Sequence, residues 1–162
     1  MAGRPTRPPE ENSILEILDE RAEGLGDRRI FTFLEDGERE TESLTYLLLQ
    51  QRARAIAAEL QRWTSPGDRA VLLYPPGLEV ISALFGCFYV GVIAVPCCPP
   101  RMDLLEDGLA PLAGVVQDCS SAVILTAEPV AETMRVACRD RAEFAGCRVI
   151  HTPAVPTSAA AW

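Results

Sequence analysis

An α/β fold, with a partial, mostly parallel sheet flanked by helices and an N-terminal β-hairpin, is what this 162-residue sequence predicts. Three observations carry that prediction. The stretch from Gly67 to Arg101 reads strand, helix, strand; the same rhythm continues after it; and two β-rich runs joined by an Asp-Gly pair come before it.

In chain order, MAGRPTRPPEEN is polar and proline-rich, and residues 1–12 are expected to be mobile and disordered. Ser13 followed by Glu16 makes a capping box, after which Ile14, Ile17, Leu18, Ala22 and Leu25 recur at helical spacing up to the glycines at 24 and 26. Arg29 to Leu34 is β-rich. Glu35-Asp36-Gly37-Glu38 supplies a hairpin turn, and Arg39 to Leu44 returns as a polar, exposed partner strand. Thr45 is placed to cap a helix whose apolar stripe is Leu49, Ala53, Ile56, Leu60 and Trp63, with Gln50, Arg52, Arg54, Glu59 and Arg62 facing away.

Ala70 to Tyr74 is a short apolar run that fits a fully buried strand, and Pro75, Pro76 and Gly77 stop it. A nearly all-apolar helix follows from Leu78 to Val90. Gly91 ends it, and Val92 to Val95 forms the second strand, with Pro96, Cys97, Cys98, Pro99 and Pro100 expected to bar any continuation. The bare surface of this helix predicts cover on both sides and a place in the middle of the domain. The two proline-rich exits, Tyr74 to Gly77 and Pro96 to Arg101, then share the carboxyl rim, where open α/β sheets collect ligands. The plainer reading is that these prolines only shape loops.

Further on, Leu104 to Asp118 reads as a helix broken near Gly108 and Pro111, Ala122 to Thr126 as a buried strand, and Val130 to Phe144 as a helix with Met134, Ala137 and Arg141 in register. Arg148 to His151 is a last short strand. The domain is drawn at residues 13–152, and 153–162 is read as a Pro/Ala/Ser linker in which the chain is truncated.

Composition narrows the function classes. An apolar fraction of 48% excludes general disorder, and a net charge of −8 argues against nucleic acid as the main partner. All 15 basic residues are arginine, so no Schiff-base lysine, phosphate-loop lysine or lysine general base exists here. The six cysteines form no CxxC pair and His151 is the only histidine, which disfavours zinc. In a reducing compartment Cys87 reads as a small core residue, and the adjacent Cys97 and Cys98 read as loop packing. The apolar run Val80 to Val95 is shorter than the ~20 residues of a membrane span, no secretory signal is visible, and a cytosolic location is expected. There is no GxGxxG and no Gly-rich phosphate loop. Ser158 and His151 lie too near the end to nominate a triad. No residue is nominated as catalytic, cofactor-binding or metal-ligating.

A resemblance adds what composition cannot. Leu44-Thr45-Tyr46 at a helix start, RARAIAAEL within it, and GDRAVLLYPPGLEVISALFGCFYVGVIAVPCCPPR after it resemble the N-terminal part of the adenylate-forming enzymes. FTFLEDGERE at Phe31 to Glu40, LLYPPG at Leu72 to Gly77 and VPxxPPR at Val95 to Arg101 resemble, more narrowly, the fatty acyl-AMP ligases. The similarity runs from Ile14 to Val155. It implies the first half of the large N-terminal domain of an enzyme that uses ATP and magnesium to turn a fatty acid into an acyl-adenylate. The acyl group then passes to an acyl carrier protein of a polyketide or peptide synthetase. It also implies that the phosphate loop, the adenine and ribose contacts and the lysine of a mobile C-terminal domain lie beyond Trp162. The isolated chain is therefore expected to need no cofactor of its own, to bind ATP weakly or not at all, and to make no adenylate. The chain departs from the family in carrying Cys97 and Cys98 where an alanine and an aromatic are usual, and Leu47 to Leu49 after the Leu-Thr-Tyr. The alternatives are a naturally short, non-catalytic homologue that serves as an interaction or scaffold module with the hairpin at Arg29 to Leu44 as contact surface, and an unrelated small α/β binding domain.

Overall fold

The computed structural model describes residues 13–100 and 105–160. The expectation of a disordered segment at 1–12 lies outside them, as does Arg101. Helix α1 (Ile14–Leu25) starts on the capping box: Ser13 Oγ accepts from the Glu16 amide at 3.2 Å and the Glu16 carboxylate accepts from the Ser13 amide at 2.7 Å. Strands β1 (Arg29–Glu35) and β2 (Arg39–Thr45) pair antiparallel. Asp36 and Gly37 both take positive φ, 56° and 79°, which is what the Asp-Gly dipeptide supplies in a two-residue turn. Helix α2 (Tyr46–Leu60) is capped by Thr45, whose hydroxyl accepts from Leu48 N at 3.2 Å.

Strand β3 (Arg69–Leu73), helix α3 (Glu79–Tyr89) and strand β4 (Ile93–Cys97) form the expected βαβ unit, and β3 and β4 are parallel. Helix α4 (Leu105–Cys119), β5 (Val123–Thr126), α5 (Val130–Asp140) and β6 (Arg148–His151) complete a four-stranded parallel sheet in the order β4-β3-β5-β6. Side chains of β3 and β5 alternate between two cores. Ala70, Leu72, Val123 and Leu125 meet α2 and α3 through Ile56, Leu60, Ala83 and Cys87. Val71, Leu73 and Ile124 meet α4 and α5 through Leu109, Leu112, Val116 and Met134. A third, smaller core of Leu18, Leu44, Leu49 and Leu78 seats α1 and the hairpin.

Several sequence expectations need correction. Strand β4 does not stop at Val95: Pro96 pairs with Leu72 and Cys97 with Leu73. Among the described residues β4 is an edge strand, with Ile93 54% exposed, so the βαβ unit is not at the centre of this sheet. An edge strand makes ladder bonds on one side only, which is why proline is tolerated there. For the same reason α3 is not covered all round, and Phe88 stays 39% exposed. Trp63 lies beyond the end of α2 and outside its core stripe, stacked under the Arg148 guanidinium at 3.4 Å. Helix α4 runs unbroken through Gly108 and Pro111. Loss of one amide donor at Pro111 is outweighed by the row Leu109, Leu112, Val116 buried against the sheet. Helix α5 ends at Asp140. Arg141 is extended, and a 3-10 turn at Ala142–Phe144 turns the fully buried Phe144 into the core. The presumed linker holds 3-10 turns at Thr152–Ala154 and Thr157–Ala160, and the second packs on α2.

Two contacts lock the helices together. Gly86 lies so close to α2 that a Cβ there would sit 2.8 Å from Ile56 Cγ2 and 3.1 Å from the Ala53 carbonyl. Asp19 of α1 accepts hydrogen bonds from Tyr89 Oη at 2.5 Å and Gln50 Nε2 at 2.8 Å, and pairs with Arg54 at 3.1 Å. Burial alone would raise the Asp19 pKa, but the bonds from Tyr89, Gln50 and Arg54 together hold it below the usual range. The same surroundings, burial first, push the Tyr89 phenol up to about 12.

Gly86→Val is expected to lower stability by at least ~2 kcal/mol in urea unfolding, because rigid helix atoms have to separate. Asp19→Asn is expected to cost about 1–2 kcal/mol at pH 7. A depressed carboxyl pKa stabilises above the unfolded value and stops doing so as pH falls through the folded one. The gap between wild type and variant should therefore shrink toward pH 3, and an equal gap at pH 7 and pH 3 would refute the assignment.

Candidate functional site

All four parallel strands end on one side, so the exits after Tyr74 and Cys97 do share a rim, as the sequence implies. The chain leaves neighbouring strands β3 and β5 in opposite directions, to α3 on one face and α5 on the other. That divergence opens the crevice in which α/β sheets place ligands.

Three buried hydroxyls join the strand ends. Tyr74 Oη and Thr152 Oγ1 are 2.8 Å apart, Thr152 Oγ1 also reaches the Thr126 carbonyl at 3.4 Å, and Thr126 Oγ1 donates to the Leu73 carbonyl at 2.5 Å. Burial raises the Tyr74 pKa far above that of a free phenol, so this group remains neutral. Beside it, Arg52 of α2 pairs with Glu79 at 3.0 Å and with Glu42 at 3.7 Å, while Glu42 Oε2 accepts from Leu78 N at 3.3 Å. Burial raises the Glu79 pKa, opposed by Arg52 and reinforced by Glu42. A cavity of about 370 Å³ lies over this group, with Leu48, Ile56, Thr152 and Val155 among its walls.

The sequence reading placed the Tyr74 exit correctly but found neither the hydroxyl array nor the arginine between two glutamates. A threonine closing the apolar run Val123 to Leu125 was the one visible signal. His151 sits at the end of β6, and Ser158 lies exposed in the last 3-10 turn. Among the described residues no group of three His, Cys, Asp or Glu side chains is arranged to hold a metal. The hydroxyls on this rim already bond to one another and to strand carbonyls, and Arg52 is already paired with two carboxylates. The described rim therefore does not fit a nucleotide triphosphate or its magnesium.

Residues 18–160 match the AMP-binding enzyme family. The chain is 44% identical over 118 residues, 73% of its length, to the medium-chain-fatty-acid acyl-carrier-protein ligase JamA of Moorena producens. It is 36% identical over 156 residues, 94% of its length, to the long-chain-fatty-acid AMP ligase FadD32 of Mycolicibacterium smegmatis. These alignments cover 20% and 24% of the two relatives, so the chain spans about a quarter of their length or less. The fold superposes with a TM-score of 0.75 and 32% identity on a fatty acyl-adenylate ligase from L. pneumophila in complex with acyl adenylate and pyrophosphate, covering 91% of this chain and 24% of that one. With the fold, the order of its strands and a match over nearly the whole chain in agreement, this chain belongs to the AMP-binding enzyme family.

Proposed function

We propose that this chain is the N-terminal part of a fatty acyl-AMP ligase. In that reaction a fatty-acid carboxylate attacks the α-phosphate of ATP, with magnesium, to form an acyl-adenylate and release pyrophosphate. The thiol of an acyl carrier protein then displaces AMP and takes the acyl group. The observation that supports this most is the joint likeness to ligases of medium- and long-chain fatty acids and to a structure holding acyl adenylate and pyrophosphate. A cytosolic location fits an ATP-consuming enzyme, and no helix among the described residues is long and apolar enough to cross a membrane.

The part assigned to these residues is architectural. The Tyr74, Thr126 and Thr152 hydroxyls tie three strand ends into one rigid rim, and the Arg52 group fixes α2, α3 and the hairpin beside it. The ATP-handling groups belong, on this reading, to the portion of the relatives that this chain does not span. The chain has no lysine to meet a phosphate or a forming adenylate.

ATP-pyrophosphate exchange with medium- and long-chain fatty acids should be catalysed by the full-length gene product and not by the 162-residue chain. Absence of exchange at every chain length would refute the proposal. Tyr74→Phe is expected to lower stability by about 1 kcal/mol while leaving exchange within about tenfold of wild type. A collapse of exchange in a stably folded Y74F protein would instead place the phenol among the reacting groups.

A further inference from the structure

Helix α3 starts at the carboxyl rim without a cap of its own, because Leu78 at its N-cap position has no side-chain oxygen. In α1 the glutamate three residues on, Glu16, takes the Ser13 amide; in α3 the corresponding residue is Ile81, which has no acceptor. The hairpin fills the role from 36 positions away, where Glu42 Oε2 accepts from the Leu78 amide at 3.3 Å. Leu44, on the same strand two residues further, shares the third core with Leu78. Arg52 braces the arrangement, at 3.7 Å from the other oxygen of Glu42 and 3.0 Å from Glu79 in the first turn of α3.

The segment fixed in this way is the exit from β3. Pro75 and Pro76 have no amide hydrogen, so neither can donate a bond that would hold it. It hangs between two distant anchors, Tyr74 on Thr152 and Leu78 on Glu42, beside the cavity of about 370 Å³ that Arg52, Glu79 and Thr152 line. The Tyr74 ring is buried whether or not it carries a hydroxyl, so packing sets that end. At the other end the direction in which the backbone enters α3 depends on one carboxylate. We infer that Glu42 is a positioning residue for the ligase reaction: through the Leu78 amide it holds residues 75–77 of the rim in the place the assembled site requires. The inference rests on the acyl-AMP ligase reading. Glu42 takes no part in bond making, and its effect is on geometry, where a shift of about 1 Å can cost up to ~10²-fold in rate.

The test uses the full-length gene product, ATP and the medium- or long-chain fatty acid that wild type turns over fastest. Acyl-adenylate formation is measured per competent site, counted from the burst of enzyme-bound acyl-adenylate, so that loss of folded protein does not register as slow chemistry. Glu42→Ala is expected to slow this rate by about tenfold or more while the KM for ATP stays within about threefold. Glu42→Gln should remain within about threefold of wild type, because its amide oxygen still accepts from Leu78 although the ion pair with Arg52 is gone. In hydrogen-exchange mass spectrometry of the same proteins, residues 77–81 should exchange faster in Glu42→Ala and not in Glu42→Gln. If Glu42→Ala fails to fold, Glu42→Asp, one carbon too short to reach Leu78, takes its place under the same thresholds. A Glu42→Gln protein as slow as Glu42→Ala would overturn the inference, because the charge pair and not the cap would then matter. A wild type without exchange refutes the ligase reading and this inference together, whereas an active wild type with an equally active Glu42→Ala protein refutes this inference alone.

Discussion

Strand β3 is the constraint on which the remainder depends. Its residues Ala70 to Leu73 are almost wholly removed from solvent, with β4 on one side, β5 on the other and a helical layer on each face. A strand enclosed on four sides has no polar face, which explains the continuous apolar run instead of an alternating one. The same enclosure makes the residue that follows it, Tyr74, the natural place to end in a hydroxyl that reaches a neighbouring strand end. The rim is stiff because the strand beneath it cannot move without opening two cores at once.

The packing of α3 on α2 extends that rigidity to the hairpin. Gly86 brings the helix backbones close, and Ser82 is fully buried with no hydrogen-bond partner among the described residues. Charged residues on the far side of α2 do not simply face water. Arg52 and Arg54 reach across to Glu79 and Asp19 and so convert a solvated face into ties with α3 and α1. Arginine suits this role, since its guanidinium stays charged and can bridge two carboxylates, as Arg52 does.

The elements were legible where local chemistry is strong: the Ser13 box, the Asp-Gly turn, the Thr45 cap and the buried run of β3 all formed as read. The errors came where tertiary position overrides local preference. Pro96 looks like a strand breaker until β4 is known to be an edge, and Pro111 looks like a helix breaker until the burial of its neighbours is counted. No periodic signal marks the end of the chain, yet Thr152, just before the Pro/Ala/Ser stretch, turns back to meet Tyr74 across 78 positions of sequence. The side chains of the rim were largely hidden for that reason. Hydroxyls and a paired arginine gain meaning only when distant segments meet, whereas the family itself was visible in ordered motifs.

The strand order β4-β3-β5-β6 also has a consequence in time. As the chain leaves the ribosome, β3 first acquires β4, through a single local helix, and its opposite edge remains bare until β5 follows. Val71 and its partner Ile124 lie 53 residues apart, a gap of roughly 3–10 s at the usual pace of synthesis. For that interval a strand that the finished fold buries on both faces exposes an unpaired edge, and the nascent chain is open to adhesion and to chaperone capture.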